Sequence, residues 1–157
     1  MTREFSAGGI VFRKIRNPKS EIRKNNVLWL VCQHSQHKGW VFPKGFIGDH
    51  PSAGSGQAES TEEAALREVE EETGVKARII EKLKNPATYF YVWKGEKRFK
   101  TVYYFLMEYI KGDIINHDFE MSAVEWLPEE EVLERLTYKS DKIAFQEALQ
   151  LIHKVPS

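Results

Sequence analysis

The residues best suited to chemistry lie in one stretch, Glu59-Ser-Thr-Glu-Glu-Ala-Ala-Leu-Arg67-Glu68-Val69-Glu70-Glu71-Glu72-Thr73-Gly74-Val75. Ser60 with Glu63 three residues on is a capping-box pair, so the spacing predicts a helix beginning near Thr61. Gly74 is free to take the left-handed conformation that ends it. Glu68, Glu71 and Glu72 stand at i, i+3 and i+4 and crowd onto one face. Glu62, Leu66, Val69 and Thr73 share a stripe anchored by Leu66 and Val69, and Glu70 falls on the far side, toward solvent. Like charges at this spacing cost roughly 0.2–0.5 kcal/mol per pair, and the helix dipole disfavours anions in the last turn by roughly 0.3–1 kcal/mol each. Seven acids (59, 62, 63, 68, 70, 71 and 72) against Arg67 leave a local charge of −6. Such a run is either a solvated acidic face or a site for a hard divalent cation, which takes carboxylate oxygens beside substrate phosphates.

The elements around this helix must position it. Phe5–Ile15 reads as a strand, with Gly8-Gly9 as a bulge or a close approach of backbone to a ligand. A polar segment follows, and Val27–Cys32 is apolar without alternation, as in a strand covered on both faces. His34 and His37 read as loop residues, with phosphate contact by His37 or Lys38 as the alternative. Strands are predicted over 76–83, 87–93, 99–110 and 122–126, with a hairpin turn at Lys94-Gly95. On the long strand, Lys100, Val102 and Tyr104 point one way and Thr101, Tyr103 and Phe105 the other. Pro128 opens a short helix to Leu136, and a final amphipathic helix over 141–153 carries Ile143, Ala144, Leu149 and Ile152 near one stripe. This is an α/β chain, a mixed sheet sandwiched by helices.

The spacing from Glu59 to Val75 resembles the Nudix box, E-x7-R-E-U-x-E-E-x-G-U with U aliphatic, at eight specified positions over seventeen residues. Trp40-Val-Phe-Pro43-Lys44-Gly45 resembles the W-x-x-P-K-G segment that often precedes it. One departure stands out. The family's glycine six positions before the first Glu is Ala53 here, and thirteen residues instead of five separate Gly45 from Glu59, so an eight-residue insertion is expected in an extended loop at about 46–58. The resemblance implies a single Nudix-like α/β/α sandwich over 1–157 and a metal-dependent pyrophosphohydrolase using Mg²⁺, with Mn²⁺ possible. It assigns metal binding to Glu68, Glu71, Glu72 and the Gly45 carbonyl. The catalytic set is Arg67, Glu71 and Glu120, with Arg67 orienting Glu71 and Glu59 a supporting carboxylate. Glu120, six residues before Trp126, resembles the late Glu of diadenosine tetraphosphate hydrolases; Glu125 is its rival, and a plain loop Glu the alternative.

Substrate binding falls to Lys44, Tyr91, Lys100 and Tyr104. Lys44 follows the stiff Pro43, Lys100-Thr-Val-Tyr-Tyr104 resembles the K-T-V-x-Y segment of the same branch, and Tyr91 stands sixteen residues beyond Val75. A lysine and a tyrosine on one strand face could hold phosphate and stack a base, although aromatic residues on strands more often fill a core. Dinucleoside polyphosphates are the expected substrates; nucleoside triphosphates, RNA 5′ ends and diphosphoinositol polyphosphates share parts of the pattern, and a non-catalytic nucleotide sensor is the remaining reading.

Composition narrows the field. The 157 residues carry 23 basic and 23 acidic side chains, so no global charge points to nucleic acid or to a membrane surface. Cys32 is the only cysteine, excluding an internal disulfide. No apolar run reaches the ~18 residues of a membrane span, and the N-terminus lacks the apolar core of a secretion signal. A cytoplasmic enzyme of small nucleotides is the expectation; oligomeric state is left open.

Overall fold

The computed structural model describes residues 1–15, 26–48 and 59–155. In chain order the elements are β1 (Thr2–Lys14), β2 (Val27–His34), β3 (Trp40–Val41), β4 (Lys44–Phe46), α1 (Thr61–Thr73), β5 (Val75–Lys82), β6 (Ala87–Trp93), β7 (Glu96–Gly112), β8 (Met121–Leu127), α2 (Glu129–Arg135) and α3 (Lys139–Ile152). The predicted strands and helices are all present, with β1 and β7 longer than expected. The two short strands beside Pro43 are additional. Most of the expected loop over 46–58 lies outside the described residues.

β1 and β7 form the spine. They pair in parallel from Thr2 opposite Arg98 to Phe12 opposite Glu108. Each then changes its outer partner halfway along. β1 pairs with β4 through Ser6, Ala7 and Gly8 but with β2 through Phe12, Arg13 and Lys14. β7 pairs with β6 from Glu96 to Val102 and with β5 from Phe105 onward. The eight-stranded mixed sheet therefore splits toward both edges, and the split opens a cleft between its two halves.

Alternation along the strands sends side chains into two cores. Ile10, Phe12, Trp29, Phe42, Leu106 and Phe145 fill the one under α2 and α3, where Trp29 and Phe145 meet edge-on at 5.0 Å. Val11, Leu30, Cys32, Val69, Phe105 and Met107 fill the one under α1. Each such side chain contributes roughly 1.5–3 kcal/mol by leaving water, so the helices are clamped onto the sheet from both sides. Among the described residues no helix is long and apolar enough to cross a membrane.

The buried helix faces differ from the expected stripes. On α1, Ala64, Ala65, Val69, Glu72 and Thr73 are buried, Leu66 is half-buried and Glu62 is exposed. The helix is rolled so that a glutamate, in addition to the apolar anchors, faces inward. On α3, Asp141, Ala144, Phe145, Ala148, Leu151 and Ile152 are buried while Ile143 is exposed. Neither roll follows from periodicity alone, because small residues such as Ala64, Ala65 and Ala148 let the helix sit close and carry little pattern.

Gly8-Gly9 is neither a bulge nor bare backbone awaiting a ligand; the chain itself approaches there. A Cβ on Gly9 would lie 2.7 Å from both the Met107 sulfur and a Val69 methyl, so the missing side chain lets α1 settle on β1. Gly9→Ala should therefore cost about 1–3 kcal/mol through overpacking. Urea melts of the two proteins should show a lower midpoint at unchanged slope; an unshifted midpoint would mean that α1 does not dock at this depth.

Candidate active site

Ser60 accepts a hydrogen bond from the Glu63 amide at 3.1 Å, and the Glu63 carboxylate accepts one from the Ser60 amide, so the capping box starts α1 as predicted. Gly74 ends it at φ 80°, its amide donating to the Glu70 carbonyl. Between these caps the acidic residues separate by environment. Glu72 is 5% exposed, Glu68 is mostly covered and Glu71 lies in solvent with 54% of its side chain exposed. Glu70 is exposed on the outer face, 3.7 Å from Lys76, as expected.

Arg67 gathers the neighbouring carboxylates. Its guanidinium donates to Glu59 at 2.5 and 2.8 Å, to Glu68 at 2.7 Å, to Glu71 at 3.1 Å and to the Phe46 carbonyl at 3.1 Å. Glu59 also accepts from the Gly48 amide at 2.9 Å, which ties β4 to the start of the helix. The Arg67 hydrogen bond holds the Glu59 carboxyl below its usual range. Arg67 does not line the cleft. It reaches Glu68 and Glu71 from outside the cleft, and its 3.1 Å bond to Glu71 is the orienting contact expected of it.

Gly45 is where β4 meets the helix. A Cβ there would lie 2.1 Å from the Glu68 carboxyl carbon, so only glycine lets that carboxylate lie flat against the strand. Next to it the Lys44 amide donates to Glu72 at 3.2 Å. Burial pushes the Glu72 carboxyl up to about 8, with the Glu68 charge adding to it, and burial likewise raises Glu68. Two acids held in this way resist ionising side by side unless positive charge joins them.

The donor chemistry suits a hard divalent cation: carboxylate oxygens, a backbone carbonyl at Gly45, and a charge deficit that a dication would relieve. Among the described residues no three side chains already surround a common ligating point. Arg67 holds Glu68 and Glu71 by hydrogen bonds.

A cleft of about 1170 Å³ brings most of the predicted residues together: Lys44, Gly45, Glu68, Glu71, Glu72, Tyr91, Lys100 and Glu120 all line it. Burial alone would lower the Lys44 ammonium, but Asp141, Tyr89 and Glu72 outweigh it and raise it above its ordinary value. Lys100 is held below its ordinary value by burial and by Lys44, and its ammonium lies 4.6 Å over the Phe46 ring. Tyr91 bonds to Glu4, and burial together with that carboxylate pushes its phenol up to about 12.

Tyr104 is a correction. It is 1% exposed in the core, its hydroxyl donates to Asp141 at 2.8 Å, and it does not line the cleft. It shares the strand face of Lys100 as predicted, but that face is roofed by α3 at its level, so no base can stack there. Glu125, the rival to Glu120, pairs with Arg135 at 3.1 Å and stands outside the cleft lining.

Several cleft residues went unread in the sequence. Asp118 and Asp141 line it with Tyr89 and Tyr138; His34 and His37, expected as loop residues, line it too and stack at 4.3 Å. Asp118 comes from a loop, Tyr89 from β6, and Tyr138 and Asp141 from the start of α3, far apart along the chain. The only available signal was Asp141, an acid on the buried side of an amphipathic helix.

The NUDIX domain model matches residues 11–148. The chain belongs to the NUDIX family. A Mycobacterium tuberculosis (strain CDC 1551 / Oshkosh) protein named after a mutator protein, MutT4, is 33% identical over 156 residues, 98% of this chain; the chain spans only 58% of that relative's length. The bis(5′-nucleosyl)-tetraphosphatase (asymmetrical) of Mus musculus is 31% identical over 156 residues, 97% of each chain. Among solved structures, a binary complex of the C. elegans Ap4A hydrolase superposes with a TM-score of 0.70 at 22% identity, covering 97% of this chain and 99% of that one, which shows the shared fold. Family and relatives together place this chain in the class of Nudix pyrophosphohydrolases.

The buried acids carry a pH signature. A carboxyl raised in the folded protein binds its proton more tightly there than in the unfolded chain, so the contribution of Glu72 to stability is full below the unfolded value near 4.5 and is lost as pH rises toward 8. In chelator the melting temperature of the wild type should fall over that window, by an amount on the order of a few kcal/mol in stability. Glu72→Gln should flatten most of the fall; an equally steep profile in the variant would remove Glu72 as its source.

Proposed function

We propose that this chain is a metal-dependent Nudix pyrophosphohydrolase whose substrates are dinucleoside polyphosphates such as diadenosine tetraphosphate. One observation carries the reading. Buried acids at Glu68 and Glu72 and basic side chains at Lys44 and Lys100 line the same cleft, which suits a cation on one side of a phosphate chain and ammonium groups on the other. The names of the relatives that match over nearly their whole length, bis(5′-nucleosyl)-tetraphosphatases, support the choice of substrate.

Glu68, Glu71, Glu72 and the Gly45 carbonyl would hold Mg²⁺, or Mn²⁺ in its place. When bound, such an ion neutralises phosphate charge and supplies Lewis acidity. Phosphoryl transfer otherwise needs chiefly positioning and electrostatic stabilisation. Lys44 and Lys100 bind and orient the phosphates, and Tyr91 borders them. Glu120 takes the proton from the attacking water. Its loop is pinned by the Ser35 amide donating to its carbonyl at 2.9 Å and by its own amide donating to Asp118 at 3.1 Å. Its charge adds to the rise of the Glu68 carboxyl, which supports a position facing the acids of α1. The chain acts as one domain over 1–157, and its single buried thiol, Cys32, suits a reducing cytoplasm.

A product-resolved assay across dinucleoside polyphosphates, nucleoside triphosphates, nucleotide sugars and capped RNA tests the substrate. The tetraphosphate should have the highest kcat/KM, and chelator should abolish turnover. Glu72→Gln should lower kcat at least a hundredfold, and Glu70→Gln should leave it within twofold. Turnover that survives chelator, or a Glu72→Gln variant within twofold of wild type, would contradict the reading.

A further inference from the structure

Besides Lys44 and Lys100 the cleft is lined by Arg98 and Lys139, neither with a role in the account above, and Arg98 shares the strand of Lys100. Arg98 stands two residues before Lys100 on β7 and on the same face, about 6.8 Å along the strand. Glu4 lies opposite Lys100 in the parallel pairing, and Tyr91 lies opposite Arg98 in the antiparallel one. All four line the cleft. Basic side chains therefore run outward from Glu72 in the order Lys44, Lys100, Arg98, away from the α1 acids.

Arg98 is incompletely satisfied. Its Nη1 donates to Glu4 at 3.2 Å and its Nη2 lies 3.6 Å from Glu96, while its Nε is buried without a hydrogen-bond partner. Buried polar atoms are nearly always paired, and a guanidinium fork matches two phosphate oxygens at once. Glu4 also accepts from the Tyr91 hydroxyl, so one carboxylate occupies both groups that a longer ligand would meet at this end.

We infer that Arg98 is the outer rung of a polyphosphate track beginning at Lys44, held by Glu4 until a phosphate chain long enough to reach it takes the place of that carboxylate. The inference rests on the proposed dinucleoside polyphosphate reading and adds to it a residue that selects by phosphate number. Lys44 and Lys100 serve phosphates near the cleaved bond for every substrate; Arg98 serves the remote ones.

Methylene-bridged, non-cleavable dinucleoside polyphosphates with three, four and five phosphates test this by calorimetric titration in magnesium buffer, which reads binding whether or not the wild type turns over. Arg98→Gln should weaken the five-phosphate analogue at least tenfold and the three-phosphate analogue less than threefold. Arg98→Lys should recover part of the loss. Glu4→Gln, which keeps hydrogen-bonding capacity but removes the competing charge, should tighten the five-phosphate analogue. A loss equal at every length, no loss, or weakening of the longest analogue by Glu4→Gln would overturn the inference. If the wild type binds these analogues with the expected dependence yet hydrolyses none of the parent compounds, the proposed activity fails and the length-reading site stands.

Discussion

Glu68 and Glu72 are forced into proximity by one turn of α1 and by the bare Cα of Gly45, and the protein pays for that in electrostatics. A buried carboxylate is costly to ionise and a second one beside it more so. The surroundings offset only part of the cost. The Lys44 amide and ammonium face Glu72, while Arg67 holds Glu68 from behind and is itself anchored by Glu59. The anchoring explains why Glu59 belongs with the acids although it lies at the helix start. It fixes the guanidinium, and the guanidinium fixes the others.

The fold serves this arrangement by splitting. A sheet whose partners ran the full length of β1 and β7 would present one continuous surface and no cleft. Because β4 and β6 cover one half of the spine and β2 and β5 the other, β4 is free to bring Lys44 and Gly45 against α1. The missing side chain of Gly9 then sets how closely α1 approaches β1. Position along β1 thus separates packing at Ile10–Phe12 from the cleft-lining Glu4.

What could be read from the sequence was local. The α1 acids, their caps and the outward Glu70 follow from helical spacing. The strand faces of Lys100 and Tyr104 follow from alternation. Alternation cannot say where along a strand a helix lies overhead, and so Tyr104 was placed in the cleft although α3 roofs it and Asp141 takes its hydroxyl. Arg67 stands one turn before Glu71, and that spacing predicts their contact but not which side of it faces the cleft. Glu4, Arg98, Asp118 and Asp141 meet only through the β1–β7 register and the docking of α3, which no short motif encodes.

The central claim is that Glu68 and Glu72 are kept together, against their mutual repulsion, to hold a divalent cation against a phosphate chain. Crystals grown with Mn²⁺ and a methylene-bridged dinucleoside tetraphosphate test it most directly, because anomalous scattering locates the metal independently of the ligand. The account predicts manganese among Glu68, Glu72 and the Gly45 carbonyl, with phosphate oxygens between it and Lys44. Manganese bound elsewhere, or phosphates lodged away from these residues, would contradict it.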